Sequence, residues 1–413
     1  MKKFGLLGRR LGHSFSPQIH ACLGDPDYVL FEKEPEEIEN FLKSGEFAAL
    51  NVTVPYKQAV MPFLDGISDE AERIGAVNTI IRENGRLIGH NTDYYGFFQT
   101  VKRAGISVEG RKAVVLGSGG ASKTVKTVLT DLGASDVVIV SRTGESNYSN
   151  LDRHADAVLL VNATPVGMYP DNYKSPVDLR AFPKCECVID LIYNPEKTML
   201  IQQALSLGIP AYNGLWMLVA QAKKARELFE NKSIDDGEIS KVYKKLALES
   251  RSIALIGMPG CGKSTTAKLL SAKTGRRILS LDSLIEEKAG ISIPQIFASY
   301  GEEHFRRIEN EVLREASKIP GVIIDCGGGI VTRSENFAPL KQNAFVVFLN
   351  RGWENLPTDG RPLSLGGKNR ELYTVRLPLY RQFCDAEIDT SELGAEETAE
   401  KVMEAFENEN SGS

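Results

Sequence analysis

The stretch Gly257-Met-Pro-Gly-Cys-Gly-Lys263-Ser264-Thr265 constrains this chain more than any other. It fits G-x-x-x-x-G-K-[ST], with an apolar run at residues 252–256 before it and a helical pattern at 266–274 after it. Strand, loop and helix in that order are the context in which the motif folds as a phosphate-binding loop. The glycines let backbone N–H groups turn inward around phosphate oxygens, and the following helix N-terminus adds a favourable partial charge. Gly260, Cys261, Gly262, Lys263, Ser264 and Thr265 are therefore the expected nucleotide cradle. In it Lys263 reaches the β/γ-phosphates, and the Ser264 hydroxyl can ligate Mg²⁺.

At 413 residues the chain is too long for one ordinary core, so two or three folding units are expected. A net charge of -5 gives no support for nucleic-acid or membrane-surface binding, while local Arg clusters leave anionic small-molecule ligands open. Six cysteines, at 22, 185, 187, 261, 326 and 384, form no C-x-x-C pair, so reduced thiols are the natural reading. Cys185 and Cys187 have no accompanying His cluster, and no metal site is expected there. The apolar part of the first eight residues is too short for a signal peptide, and no window reaches a spanning length. A cytoplasmic location is expected.

Strand-like and helix-like segments alternate from the start, which argues α/β architecture with mostly parallel sheets. Ser14-Phe-Ser16-Pro17 places two hydroxyls in a loop after a first strand; read alone, Ser-x-Ser-Pro is ordinary turn chemistry. Asn51-Val-Thr53-Val-Pro55-Tyr-Lys57 reads as a strand ended by Pro55, with Lys57 just beyond its tip, where catalytic groups of α/β proteins gather. Alone, Lys57 would be a surface lysine. Asn78 and Asp93 are each expected to follow a short apolar strand as inward polar groups.

From residue 111 a strand runs into Gly117-Ser118-Gly119-Gly120-Ala121-Ser122 and then a helix at 124–132, followed by a second strand at 136–140. This is similar to the dinucleotide fingerprint, with Ser122 in the last small position. The tip of the second strand reads Ser141-Arg142-Thr143, where an NAD site carries an acid. Arg with neighbouring hydroxyls suits a 2′-phosphate, so NADP is favoured over NAD.

Taken together these motifs resemble shikimate dehydrogenase. S-x-S-P, N-V-T-x-P-x-K, G-A-V-N-T, N-T-D, G-x-G-G-A, N-A-T-P-x-G-M, a Tyr-Asn-Pro turn and N-G-L-x-M-L-x-x-Q stand in family order across residues 4–222. The resemblance implies that Ser14, Ser16, Thr53, Asn78, Tyr193 and Gln221 bind shikimate and that Lys57 and Asp93 form the catalytic pair. It also implies that residues 117–121 and 141–143, with Gly214, hold NADP(H). Two departures stand out: residues 143–157 are too short for the usual helix and strand, and the first lobe is compressed between Cys22 and Leu50.

After residue 251 the Arg-bearing segments around Arg306, Arg361 and Arg376, together with Asp282, suggest an anionic acceptor held by guanidinium groups. With the phosphate loop and the triple glycine 327–329 they resemble shikimate kinase over 251–413. The resemblance implies that Asp282 binds the acceptor hydroxyls and takes the proton. Arg306 and Arg376 would pair with the shikimate carboxylate, Gly328 would line the pocket, and Arg361 in the lid would meet the ATP phosphates. The segment 349–361 is shorter than in the family, and Ser391-Glu-Leu stands where an adenine-framing arginine would be expected. The family usually places a magnesium-holding Asp two residues before the acceptor-binding one; here that place is Ser280. Asp325, two residues before the triple glycine, is expected to have taken over that carboxylate's work, against a blander turn-capping role.

The expected organisation is a two-lobed dehydrogenase at 1–249, followed at 251–413 by a P-loop kinase domain on a parallel sheet. The first part divides into a substrate lobe at about 1–98, a Rossmann-type NADP lobe at about 99–215 and closing helices at 216–249. The expected activity is NADPH-dependent reduction of 3-dehydroshikimate to shikimate, then phosphorylation of shikimate with ATP and Mg²⁺. The rival is an NAD-dependent quinate/shikimate dehydrogenase whose kinase-like domain senses ATP or shikimate. Oligomeric state is not readable, and a homodimer stays open.

Overall fold

The computed structural model describes residues 3–12, 14–25, 27–356 and 368–411. The chain forms two compact units, Met1–Tyr193 with Thr198–Leu246, and Asn194–Lys197 with Ala247–Ser413. The four-residue piece Asn194–Lys197 hydrogen-bonds within the second unit, where Glu196 N–H donates to Asn343 Oδ1 (2.7 Å) and Lys197 N–H to Gln342 O (2.9 Å).

The first lobe of the first unit is a six-stranded sheet of β1 (Lys3–Gly8), β2 (Val29–Glu32), β3 (Phe47–Val52), β4 (Gly66–Ile67), β5 (Thr79–Glu83) and β6 (Arg86–His90). The order is β2-β1-β3-β5-β6-β4, parallel except where β5 runs antiparallel to both β3 and β6. Asn84 and Gly85, both at positive φ, close the β5–β6 hairpin as Asn-Gly turns do. Leu7, Phe47, Leu50, Val52 and Ile80 bury against helix Ile38–Ser44. Among the described residues, the compressed stretch between Cys22 and β3 holds the four-residue β2, the 3₁₀ turn Pro35–Glu37 and that seven-residue helix.

Asn78 does not follow a strand. It stands immediately before β5, after helix Asp69–Ile74 and its left-handed cap Gly75. Ala76 and Val77 are apolar because they are buried in that connection, and burial there imitates the signal of a short strand.

The second lobe is a parallel sheet of β7 (Lys112–Leu116), β8 (Asp136–Val140), β9 (Leu159–Asn162), β10 (Cys187–Asp190) and β11 (Ala211–Tyr212), in the order β11-β10-β9-β7-β8. Between β8 and β9 the one regular element is the 3₁₀ turn Leu151–His154, so this lobe is trimmed as its sequence indicates. Helix Asp93–Ala104 packs closely on helix Leu215–Glu230: a Cβ on Gly96 would lie 2.7 Å from the Met217 carbonyl oxygen.

The second unit carries a parallel sheet of β12 (Ser252–Ile256), β13 (Ile278–Ser280), β14 (Ile323–Asp325), β15 (Ala344–Asn350) and β16 (Ala386–Asp389), in the order β13-β14-β12-β15-β16. All of β12 is buried, and it feeds the loop that opens helix Lys263–Thr274. Helix Ile293–Ala316 is broken at Gly301 (φ 79°, ψ 174°), which re-aims the part that carries Arg306 and Glu309. Among the described residues no helix is long and apolar enough to cross a membrane.

Candidate functional site

The first unit's main cleft, about 770 Å³, lies beyond the carboxyl ends of β1 and β3. It is lined by Ser14, Ser16, Thr53, Lys57, Asn78, Asp93, Tyr193 and Gln221, so all eight expected residues converge there. β3 ends at Val52, Thr53 turns the chain, and helix Tyr56–Ala59 presents Lys57. Lys57 Nζ stands 2.5 Å from Asp93 Oδ2. Asp93 opens helix Asp93–Ala104, where the macrodipole favours its negative charge.

Arg9 and Arg10 also line the cleft, and the amides and hydroxyls nearest the pair are neutral and held. Asn78 Nδ2 donates to Thr92 Oγ1 (3.0 Å), while its Oδ1 accepts from the Thr92 N–H (2.7 Å). Thr92 Oγ1 in turn donates to Gln221 Oε1 at 3.4 Å. The Ser16 N–H donates to Ser14 Oγ at 3.2 Å, which fixes the spacing of the two hydroxyls. Burial raises the Tyr193 phenol, keeping it a neutral donor. An ammonium held by a carboxylate, beside hydroxyls and amides, can pass a proton to an oxyanion developing on a small polyhydroxylated substrate.

A second cleft of about 930 Å³ is lined by Gly117, Ser118, Gly119, Ser141 and Arg142 from the tips of β7 and β8, and by Tyr148, Thr164 and Lys174. Gly117 (φ 102°) leaves no room for a side chain, since a Cβ would lie 2.9 Å from Thr164 Cγ2. Gly119 caps helix Gly120–Asp131, so Gly120 and Ala121 form its first turn, an arrangement suited to a diphosphate. That helix begins four residues earlier than the 124 expected. Ser122 is 2% exposed and its hydroxyl donates to Gly119 O at 2.6 Å, so the small position tolerates this departure. No acidic residue is among the described residues lining the cleft, while Arg142 is, in keeping with a 2′-phosphate. Thr143 and Gly214 lie outside that lining. Gly214 caps helix Leu215–Glu230 with its Cα against Leu191; a Cβ would fall 2.0 Å from the Leu191 carbonyl oxygen.

The second unit's pocket, about 320 Å³, gathers Gly260, Lys263, Ser264, Ser280, Asp282, Arg306, Asp325, Gly328 and Arg376. Positive φ at Gly257, Gly260 and Gly262 shapes the loop. Cys261 points inward, buried, so its backbone alone can serve a phosphate. Thr265 is exposed one residue into the helix after Ser264. Lys263 Nζ donates to the carbonyls of Gly257 (3.0 Å) and Met258 (3.1 Å). Asp282 reaches solvent in the pocket, yet crowding by protein raises its pKa, with Asp325 adding to the shift and Lys263 opposing it. Arg376 donates to Gly328 O at 3.2 Å, and the Tyr380 hydroxyl donates to the same oxygen. Arg361 lies outside the described residues.

Sequence reasoning missed several groups. Glu309, 1% exposed, pairs with Arg306 Nη1 at 2.9 Å; its spacing of three from Arg306 on one helix was the available signal. Gly329 packs under the Arg306 guanidinium, where a Cβ would meet Nη2 at 2.3 Å. Asn51 lines the first cleft, accepting from the Tyr28 hydroxyl at 2.8 Å, while the His20 ring stacks on Tyr28.

Comparison with known proteins finds matches to both units. The shikimate dehydrogenase substrate binding domain matches residues 6–80, and shikimate kinase matches residues 259–407. A shikimate dehydrogenase (NADP(+)) of Clostridium perfringens is 37% identical over 267 residues, which cover 60% of this chain and 98% of the relative. The solved shikimate dehydrogenase 1 of Peptoclostridium difficile is 41% identical with a TM-score of 0.55, covering 60% of this chain and 99% of that one. Shikimate 5-dehydrogenase of Thermus thermophilus in complex with shikimate is 34% identical with a TM-score of 0.53, covering 60% and 99%.

Proposed function

The chain belongs to the shikimate dehydrogenase family and carries a shikimate kinase domain behind it, and from that premise we propose two consecutive reactions on one chain. The first unit reduces 3-dehydroshikimate to shikimate with NADPH. The second transfers the γ-phosphoryl group of ATP to a hydroxyl of that shikimate. The product of the first site is the substrate of the second.

The observation that carries the reading is the Lys57–Asp93 pair, 2.5 Å apart in a cleft lined by hydroxyls and amides. NADPH, when bound, supplies the hydride to the carbonyl carbon. The developing alkoxide needs one proton, and Lys57 Nζ holds one where Asp93 fixes its position. Ser14, Ser16, Thr53, Asn78, Tyr193 and Gln221 orient the polyol and its carboxylate. Gly117–Ala121, Ser141, Arg142 and Thr143, with Gly214, attend the dinucleotide, Arg142 taking the 2′-phosphate.

In the second unit Arg306 and Arg376 hold the acceptor's carboxylate beside Gly328, and Asp282 accepts the proton of the attacking hydroxyl. A base with a raised pKa suits that step near neutral pH. The loop 260–265 cradles the ATP phosphates with Lys263, and Arg361 is assigned to the lid. Ser264 is suited to Mg²⁺, which would offset phosphate charge.

A coupled assay of the purified chain with 3-dehydroshikimate, NADPH and ATP tests the whole reading. NADPH loss and ADP formation should appear together, and ADP formation should require NADPH when 3-dehydroshikimate is the sole carbon substrate. NADPH oxidation without ADP formation would reduce the second unit to a binding domain.

A further inference from the structure

We propose that the divalent cation serving the nucleotide phosphates is held by Ser264 and Asp325, with its carboxylate at the tip of β14 instead of the tip of β13. The proposal rests on the kinase reading of the second unit. Four observations carry it.

The β13–β14 ladder pairs Ser280 with Asp325, so the two strand tips stand side by side over one pocket. β14 also pairs directly with β12, Leu255 opposite Asp325, and β12 feeds the phosphate loop. A carboxylate on β14 is thus one strand spacing, about 4.8 Å, nearer that loop than one on β13.

Second, Asp325 is 8% exposed, and among the described residues no group donates a hydrogen bond to its carboxylate and no cation lies within ion-pair distance. It caps no turn, so the commonest structural use of Asp at a strand end is not met. A carboxylate that lines the pocket with neither a donor nor a counter-ion is available to a cation that enters with the phosphates.

Third, two neighbouring groups, Lys263 and Ser280, are otherwise engaged. Lys263 Nζ is turned onto the carbonyls of Gly257 and Met258. Ser280 caps helix Leu281–Ala289, its Oγ accepting from the Ser283 N–H at 3.4 Å, and so is already used.

Fourth, Ser264 and Asp325 line the same pocket and offer hard oxygen donors. Mg²⁺ binds through one or two such protein groups, keeping waters and phosphate oxygens as its remaining ligands. That agrees with the finding that no cluster of three or more acidic, His or Cys side chains suited to a metal occurs among the described residues.

The test is calorimetry of ADP binding to the full chain with and without Mg²⁺, which reads the metal's contribution apart from turnover. Asp325→Asn should leave metal-free ADP affinity unchanged and reduce the Mg²⁺ enhancement by roughly tenfold or more. The exchange variant Ser280→Asp/Asp325→Asn, with the carboxylate on β13, should recover most of that enhancement. Dehydrogenase activity of the same chains shows that they are folded. An unchanged Mg²⁺ enhancement in Asp325→Asn overturns the proposal. So does an equal loss of ADP affinity with and without the metal, or no recovery in the exchange variant. If the wild type binds ADP under neither condition, the kinase reading itself fails instead.

Discussion

The two clefts proposed as active sites distribute their charge differently. In the dehydrogenase cleft Lys57 and Asp93 neutralise each other, the other groups proposed for the substrate are hydroxyls, amides and a phenol, and the remaining charge on the lining is that of Arg9 and Arg10. In the kinase pocket positive charge is spread over Lys263, Arg306 and Arg376, and Asp325 has no counter-ion among the described residues. The chemistry accounts for the difference. Ketone reduction needs one proton delivered at a fixed point, so a tight ion pair is enough. Phosphoryl transfer must hold a polyanion in place, so Lys263 and Arg376 wait on carbonyl partners that anionic oxygens can replace, while Arg306 is aimed by Glu302 and Glu309.

If proton delivery depends on that tight pair, breaking it should cost more than any other change to the first cleft. Lys57→Ala and Asp93→Asn should each lower dehydrogenase kcat by roughly a hundredfold or more. The double variant should be little worse than either single one, because the two act as a unit. Kinase turnover on the same chain should not change. Full reduction activity in either single variant would sink the assignment.

The next effect tests the buried ring stack behind that cleft. His20 is buried with its ring 3.9 Å from that of Tyr28, and burial, helped by the charge of Arg226, lowers its pKa from 6.5 to about 3. The unfolded chain takes up this proton near pH 6.5 and the folded chain only near 3, so acid favours unfolding. Stability from this group is whole above pH 6.5 and falls as pH drops, by about 2 kcal/mol at pH 5. His20→Phe keeps a ring in the stack and removes the titration. Urea unfolding read from Trp216 in a Trp353→Phe background should lose its pH dependence over that interval by about this amount. The same slope as the wild type would show that His20 does not control it.

How much of this could be read from the sequence depended on whether the chemistry was local. The phosphate loop and the eight dehydrogenase motifs each carry their own turn or strand tip, so the cleft residues were found before any packing was known. Asn78 was misplaced because Ala76 and Val77 are buried in a connection, and burial there copies a strand's apolar pattern. Asn194–Lys197 was invisible as part of the second unit, since its hydrogen bonds run to residues 342 and 343, and nothing in four residues marks that. The position of Gly329 under a guanidinium also needed coordinates.

In the kinase pocket, the comparison sharpens at Glu309. Its carboxylate is buried against Arg306 while Glu302 holds the guanidinium's other side from a more exposed position. Glu309 therefore sets where Arg306 points, and burial raises its own pKa despite that partner. Glu309→Gln keeps the shape and removes the charge. The shikimate KM should rise roughly tenfold, the loss expected for one buried charge-assisted bond, while the ATP KM stays unchanged. Equal changes in both constants would mean that the pocket had collapsed and not merely lost an orienting contact.

The smallest effect is expected where charge is most exposed. Arg142 stands at the tip of β8, open to solvent, with Ser141 beside it in the cofactor cleft and no acid among the described residues lining that cleft. Water and salt screen such a group, so its contact with a 2′-phosphate is worth less than a buried one. Arg142→Ala should raise the NADPH KM by roughly three- to tenfold at low salt, with the gap narrowing as ionic strength rises. NADH carries no 2′-phosphate, so its KM should hardly move. Since Tyr148 also lines the cleft, Arg142→Lys separates charge from shape: a point charge should recover part of the NADPH preference, and the bidentate remainder should stay lost. Matching changes for NADPH and NADH would instead make Arg142 a support for the β8 tip, and the cleft's preference for NADP would have to come from the missing acid alone.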